Sequence, residues 1–135
     1  MQTLPDCLRL YLVTDSPERC SCGLQETVRR AICGGATVVQ YRREHADPAT
    51  MLQEAAQLRK LTRETGIPFI VNNDVRLALE VEADGVHVGQ QDMPPAQVRR
   101  LIGRGMMLGL SVSNADEMRA VDTSLVDYVG CGPVF

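Results

Sequence analysis

The sequence predicts an α/β fold made of consecutive parallel βαβ units. Short runs rich in β-branched and aliphatic residues alternate with amphipathic helical segments along the chain. Glycine, proline or a capping residue stands at most of the boundaries between them. Strands that alternate with helices in this way pair in parallel through right-handed crossovers. No linker or break in composition divides the units, so residues 1–135 are predicted to form one domain.

The individual elements follow from these local signals. Strands are expected at residues 8–14, 36–42, 68–71, 85–89, 107–112 and 127–135. The clearest helix start is Asp47 followed by Pro48, because aspartate caps a helix and proline fits its first turn. Helices are expected at residues 23–33, 48–65 and 74–81, after Pro94 and Pro95, and after Ser113 or Asn114.

Six parallel strands allow either an open doubly wound sheet or a closed (β/α)8 barrel. No Gly-x-Gly-x-x-Gly follows the first strand, which counts against a dinucleotide-binding sheet. A complete barrel needs at least ~200 residues, and this sequence of 135 ends inside a sixth unit. We therefore expect the first six strands of a (β/α)8 (TIM) barrel. Either the sequence is a fragment, which we favour because six strands leave two unpaired edges, or the remaining units come from elsewhere.

Composition is typical of a soluble globular protein and argues against several other classes. Hydrophobic residues make up 44% of the chain, and 14 Lys+Arg against 17 Asp+Glu give a net charge of −3. This is too apolar for disorder and too acidic for nucleic-acid binding. No segment is apolar enough for a membrane span or a signal peptide. Five scattered cysteines suit neither a disulfide framework nor a zinc site, which predicts reduced thiols in the cytoplasm.

Polar residues gather where the predicted strands end. In chain order they are Asp15, Gln40, Arg42, Asn72, Asn73, Gln90, Gln91, Asp92, Ser111 and Ser113. Ligands bind at this edge of parallel α/β folds, because its loops and helix N-termini converge there. For Asp74, Ser113 and Asn114, the spacing to the next helix fits capping better than ligand binding. Arg99 and Arg100 are expected on a solvated helix face.

The second strand places two polar side chains on one face. Gln40 and Arg42 alternate with Val39 and Tyr41, so both are expected to point into the barrel interior. An arginine buried there without an anion would be a costly isolated charge. The sequence therefore predicts that Arg42 meets a phosphate group.

Asp92 supplies a carboxylate just beyond the fourth strand. Such a carboxylate is suited to a Mg²⁺ ion shared with a phosphorylated substrate, and Asp74 or Asp15 could supply a second one. His87 lies within the fourth strand and is interpreted either as a general base or as a hydrogen-bonded histidine of the barrel.

Five segments together resemble the thiamine phosphate synthase family. They lie at residues 35–42, 68–79, 83–93, 108–111 and 127–135, within a resemblance that extends from about Leu10 to Phe135. The most specific is Ala-Asp-Gly-Val-His-Val-Gly-Gln-Gln-Asp at residues 83–92. The resemblance implies a (β/α)8 barrel and a Mg²⁺-dependent transferase. This activity joins hydroxymethylpyrimidine diphosphate to a thiazole phosphate, giving thiamine phosphate and pyrophosphate.

The resemblance also implies a role for each matching position. Substrate binding falls on Gln40, Arg42, Asn72 and Ser111, and magnesium binding falls on Asp92 and Asn73. No catalytic nucleophile is implied, because pyrophosphate leaves and the thiazole nitrogen captures the resulting pyrimidine-methyl cation. The protein has to neutralise the departing charge and hold both rings in register.

Three features depart from the family pattern. The lysine of Gln-x-Arg-x-Lys falls on Glu44, which reverses the charge beside the diphosphate. The aspartate after the asparagine falls on Asn73, whose carbonyl can bind Mg²⁺ but brings no negative charge. The Pro-Thr-x-Thr-Lys segment would begin just after Phe135. We therefore expect the 135 residues alone to show no thiamine phosphate formation in a coupled assay.

Two other functions stay open at this stage. A thiazole tautomerase-like relative would share the barrel and bind a thiazole phosphate without diphosphate or Mg²⁺. Glu44 and Asn73 favour that alternative, whereas Asp92 within Gly-Gln-Gln-Asp disfavours it. A non-catalytic module that binds a thiamine precursor is the other. The expected partners are small-molecule substrates, without nucleic acid or membrane, and unsealed strand edges make a homo-oligomer a further expectation.

Overall fold

The computed structural model describes residues 3–134 and contains six strands in one sheet. The strands are β1 (Tyr11–Val13), β2 (Val38–Tyr41), β3 (Phe69–Asn72), β4 (Gly85–Val88), β5 (Met107–Val112) and β6 (Tyr128–Cys131). The helices are α1 (Leu4–Cys7), α2 (Leu24–Cys33), α3 (Pro48–Thr65), α4 (Val75–Glu80), α5 (Pro95–Ile102) and α6 (Ala115–Arg119), with a 3-10 turn at Pro17–Arg19. Among these residues no helix is long and apolar enough to cross a lipid bilayer.

The strands lie side by side in chain order, and every neighbouring pair is parallel. The sheet curls strongly. Strands β1 and β6 form opposite edges of the described sheet, yet the hydroxyls of Tyr11 in β1 and Tyr128 in β6 lie 2.7 Å apart. This is the order and curvature of the first six units of a (β/α)8 barrel. The predicted α/β fold class is confirmed.

Most predicted elements are present, with shifted ends. Helix α3 and strand β5 have the predicted bounds, whereas α1 and the 3-10 turn at Pro17–Arg19 were not predicted. Strand β1 covers only Tyr11–Val13, and just before it the Leu10 N–H donates to the Thr37 hydroxyl at 2.8 Å rather than to a backbone carbonyl. The predicted extension of the sixth strand is wrong for residues 132–134, because β6 ends at Cys131. Phe135, like Met1 and Gln2, lies outside the described residues.

The two faces of the sheet carry different side chains. The face turned towards the helices is apolar, and its buried residues are Val39, Tyr41, Phe69, Val71, Val86, Val88, Leu108, Leu110 and Val112. The alternate positions face the inside of the curled sheet. Towards the carboxyl ends of the strands they include Gln40 and His87, which are 4% and 8% exposed. The two-residue period of a strand therefore separates a packing surface from a polar interior.

At the amino ends of the strands, two partly buried ion pairs connect helices to the sheet. The carboxylate of Asp84, just before β4, accepts hydrogen bonds from both terminal nitrogens of Arg59 at 2.7 and 3.2 Å. It also accepts the first N–H of β3 at 2.8 Å. Asp127, just before β6, repeats the arrangement with Arg99 at 2.8 Å and an N–H of β5 at 2.7 Å. The expectation that Arg99 lies on a solvated face is wrong, since the residue is 8% exposed. Arg100 is exposed as predicted.

Candidate active site

Two adjoining cavities open at the carboxyl ends of the strands. The interior cavity has a volume of about 640 Å³ and is lined by Gln40, Arg42, Asn72 and Ser111 among others. The rim cavity, about 740 Å³, shares Arg42, Asn72 and Ser111 with it and adds Asn73 and Asp92. The structure thus brings together all six residues to which the family resemblance assigns substrate or magnesium binding. Asp15 and Gln91, also noted at the strand ends, line neither of these cavities.

Arg42 does not occupy the buried position predicted for it. The side chain is 54% exposed, and its Nη2 donates to Glu44 Oε1 at 2.6 Å. The expectation that Arg42 is buried in the barrel interior is wrong, because β2 ends at Tyr41 and the alternation of inward and outward side chains ends with it. That Arg42 meets a phosphate stays a prediction. Exposed ion pairs are worth only about 0–1 kcal/mol, so an incoming anion could displace Glu44.

Asp92 is held in place by the turn that follows β4. Its Oδ2 accepts the Gly89 N–H at 2.7 Å. Within residues 3–134 its Oδ1 has no hydrogen-bond donor, so one carboxylate oxygen is available to a ligand. Asn73 has a φ of 69°, in the left-handed region that asparagine tolerates better than most residues. The Asn73 N–H donates to the His87 carbonyl at 2.7 Å, which ties this turn to β4.

The donor chemistry of the rim suits Mg²⁺. In the described part of the chain no three His, Cys, Asp or Glu side chains gather around a point that could hold a metal ion. Mg²⁺ commonly binds one or two carboxylates and takes its other ligands from water and substrate phosphates. The Asp92 carboxylate and the Asn73 amide carbonyl, both on the rim cavity, are hard oxygen ligands of this kind. Asp74 caps α4 through the Leu77 N–H at 2.9 Å, as its spacing predicts.

A continuous chain of hydrogen bonds crosses the interior cavity. Gln40 Nε2 donates to the Tyr11 hydroxyl at 2.8 Å, and the Tyr11 and Tyr128 hydroxyls lie 2.7 Å apart. The Tyr128 hydroxyl lies 3.2 Å from His87 Nδ1, and His87 Nε2 lies 2.7 Å from Ser111 Oγ. The five groups come from five different strands, β1, β2, β4, β5 and β6, so only the curled sheet assembles them.

Burial sets the protonation of this chain. It raises the pKa of both Tyr11 and Tyr128 above the usual tyrosine value. It also lowers the pKa of His87, an effect that the charge of Asp92 partly opposes. At neutral pH the interior therefore holds two neutral phenols and a neutral imidazole.

Gly109 leaves the space in which the His87 ring contacts the Tyr128 hydroxyl. A Cβ built on Gly109 would lie 2.5 Å from both His87 Nδ1 and the Tyr128 hydroxyl. A glycine inside a strand often marks such a close approach. The Leu-Gly-Leu-Ser run at residues 108–111 therefore carries two features of the site, the serine and the space beside the imidazole.

The family model for thiamine monophosphate synthase matches residues 10–135. The chain belongs to this family. The resemblance noted in the sequence is therefore confirmed, and so is its reach from about Leu10 to the last residue. Curated relatives named thiamine-phosphate synthase agree: the protein of Chloroflexus aurantiacus is 50% identical over 127 residues, and that of Azorhizobium caulinodans is 46% identical. Each match covers 94% of this chain, which spans 58% and 60% of the two relatives.

Solved structures of similar proteins support the same family and fold. Thiamine phosphate pyrophosphorylase from Pyrococcus furiosus superposes with a TM-score of 0.89 at 38% sequence identity, over 98% of this chain and 64% of that one. A Schiff-base-forming fructose-1,6-bisphosphate aldolase superposes with a TM-score of 0.62 at 18% identity, over 78% of this chain and 54% of the other. The second likeness shows the fold alone.

The family match does not itself point to the two tyrosines of the site. Tyr11 and Tyr128 stand at inward positions of β1 and β6, yet sequence reasoning singled out neither. The available signal was the two-residue period, which puts each hydroxyl on the same face as Gln40 and His87. Their meeting across 117 positions depends on the curvature of the sheet, which no local pattern records.

Proposed function

We propose that the protein is a thiamine phosphate synthase, a transferase that condenses hydroxymethylpyrimidine diphosphate with a thiazole phosphate. The observation that carries the proposal is the convergence of Gln40, Arg42, Asn72, Asn73, Asp92 and Ser111 on two adjoining cavities. A polar interior suits a heteroaromatic ring, and a rim with an arginine and a free carboxylate oxygen suits a diphosphate with Mg²⁺.

In this proposal each group has a separate task. The interior cavity, with Gln40 and the tyrosines, holds the pyrimidine ring and excludes water from its methylene carbon. Arg42 and the Ser111 hydroxyl take up charge as the carbon–oxygen bond breaks and pyrophosphate departs. A Mg²⁺ ion held by Asp92 and Asn73 would neutralise the same leaving group. The thiazole nitrogen then forms the new carbon–nitrogen bond, so the protein needs no nucleophile.

Replacing Arg42 with alanine is expected to weaken binding of hydroxymethylpyrimidine diphosphate at least about tenfold, because one charge-assisted hydrogen bond is lost. Calorimetry with and without Mg²⁺ measures the change, and omitting Mg²⁺ should weaken binding by the wild-type chain as well. Arg19→Ala is the matched control, since Arg19 also pairs with a nearby carboxylate, Asp15, but lines neither cavity. Equal affinities for the two variants, or binding without Mg²⁺ dependence, would count against the proposal.

Replacing Glu44 with lysine is expected to tighten diphosphate binding about tenfold. The change removes the carboxylate that now holds Arg42 at 2.6 Å and adds a cation at the rim cavity. Glu44→Gln, which only removes the competitor, should fall between the wild type and Glu44→Lys in the same titration. An unchanged or lower affinity for both variants would show that the diphosphate does not approach Arg42.

The Arg42–Glu44 pair also favours a second candidate, a thiazole tautomerase-like activity, because it leaves less positive charge for a diphosphate. That alternative predicts thiazole phosphate binding with little affinity for the diphosphate and no need for Mg²⁺. The titrations above separate the two functions directly.

A reducing cytoplasm is part of the same proposal. All five cysteines, Cys7, Cys20, Cys22, Cys33 and Cys131, are free thiols, which suits that compartment. Self-association through the strand edges stays a prediction.

A further inference from the structure

We propose that Gln40, Tyr11, Tyr128, His87 and Ser111 form a directional hydrogen-bond relay that fixes His87 as the Nε2–H tautomer and presents the Ser111 hydroxyl as a donor to the cavity. The four residues before Ser111 are positioning residues, since each acts through its neighbour. The relay follows from the geometry alone, whereas the ligand that Ser111 meets, the substrate diphosphate, rests on the proposed function.

The direction is set at Gln40. Its Nε2 carries only donors, so the Tyr11 oxygen must accept at this 2.8 Å contact. Within residues 3–134 the only other hydrogen-bond partner of that hydroxyl is Tyr128, so the single Tyr11 proton points to the Tyr128 oxygen. The Tyr128 oxygen accepts this hydrogen bond, so the Tyr128 proton remains for a hydrogen bond to the next group.

The Tyr128 proton then fixes the imidazole. The next group along the chain is His87 Nδ1 at 3.2 Å, which accepts it through its lone pair. A neutral imidazole that accepts at one nitrogen carries its hydrogen on the other. His87 therefore donates from Nε2 to Ser111 Oγ at 2.7 Å. Because Oγ already accepts a hydrogen bond, the Ser111 proton is available to an acceptor in the cavity.

The alternative direction is chemically unsuited to an anion. If the relay ran the other way, Ser111 would donate to His87 and turn only lone pairs towards the cavity. An oxygen lone pair facing a diphosphate oxygen is repulsive, whereas a hydroxyl proton there makes a charge-assisted hydrogen bond. The serine backbone is held independently, since its carbonyl accepts Gln90 Nε2 at 2.9 Å. The relay thus controls the hydroxyl proton rather than the place of the residue.

The tautomer can be read directly by long-range proton–nitrogen NMR of the ¹⁵N-labelled chain. The chain has two histidines, His45 and His87, so a His45→Gln variant assigns the signals. We expect His87 to be the Nε2–H tautomer in the wild type and to lose this preference in Tyr128→Phe. Tyr41→Phe is the matched control, because it removes a hydroxyl that bonds to Glu54 on the opposite face of the sheet. This variant should keep the wild-type tautomer.

Binding of hydroxymethylpyrimidine diphosphate with Mg²⁺ then tests the consequence. Tyr128→Phe should raise the Kd about fivefold, the worth of one neutral hydrogen bond, while Tyr41→Phe stays within about twofold. An Nδ1–H tautomer in the wild type, or an unchanged tautomer in Tyr128→Phe, overturns the relay, and the first result needs no variant. If His87 loses its preference for the Nε2–H tautomer in Tyr128→Phe but the Kd for the diphosphate is unchanged, the donor role of Ser111 is overturned. A wild-type chain that shows the Nε2–H tautomer but binds no diphosphate supports the relay and refutes the proposed function.

Discussion

Alanine in place of Gly109 is expected to lower the free energy of unfolding by about 3 kcal/mol, near the upper end of the usual cost of overpacking a core. A Cβ there would lie 2.5 Å from His87 Nδ1, closer than two such atoms can approach, and would overlap the ring of Tyr128. The backbone of β5 is fixed by parallel strands on both sides, so the two side chains have to move instead. The hydrogen bond between them would break.

Gly130→Ala is the matched control for this change. Gly130 lies on β6 beside the same imidazole, but a Cβ there would be 3.4 Å from His87 Cε1, an ordinary contact. We expect the Gly130 variant to stay within about 1 kcal/mol of the wild type. Urea unfolding followed by circular dichroism measures both, since the chain has no tryptophan to report by fluorescence. Similar losses in the two variants would show that the space beside His87 is not what Gly109 provides.

The elements that the sequence predicts best are those with local boundary signals. Helix α3 begins after Asp47, which accepts the Thr50 N–H at 2.9 Å, and ends before Gly66 in the left-handed conformation. Both signals lie within a few residues of the ends they mark. Strand β1 has no such signal at its start, where the Leu10 N–H donates to a side-chain hydroxyl from a distant loop, that of Thr37.

The site residues, too, are predicted well only where the deciding signal lies nearby in the sequence. The inward position of Gln40 follows from alternation within β2, and the structure places it there. Arg42 is only two residues further, but it stands beyond the strand end, where a neighbouring glutamate rather than the sheet decides its direction. The partnership of Tyr11 with Tyr128 is farther still from prediction, because it needs the curvature accumulated over all the strands between them.

Arg99 shows the limit of reading a helix face from charge alone. Two adjacent arginines near the end of α5 suggest solvent, yet one turns inward and donates to the carbonyls of Gly103, Met106 and Leu125 and to the Asp127 carboxylate. Buried guanidinium groups are stable only with such partners. The pairing with Asp127 also connects α5 to the start of β6, so a single side chain joins a helix, a loop and the sheet.

Replacing Arg99 with alanine is therefore expected to lower the free energy of unfolding by about 3 kcal/mol, since the change leaves the carbonyls of Gly103, Met106 and Leu125 without this donor. Arg100→Ala, which removes the same group from the exposed neighbouring position, should stay within about 0.5 kcal/mol of the wild type. Urea unfolding monitored by circular dichroism compares the two. A double variant, Arg99→Met with Asp127→Asn, should recover part of the loss, because methionine refills the space of the arginine stem and the ion pair is removed on both sides. Equal free energies of unfolding for Arg99→Ala and Arg100→Ala would show that the contacts of the Arg99 guanidinium do not stabilise the fold.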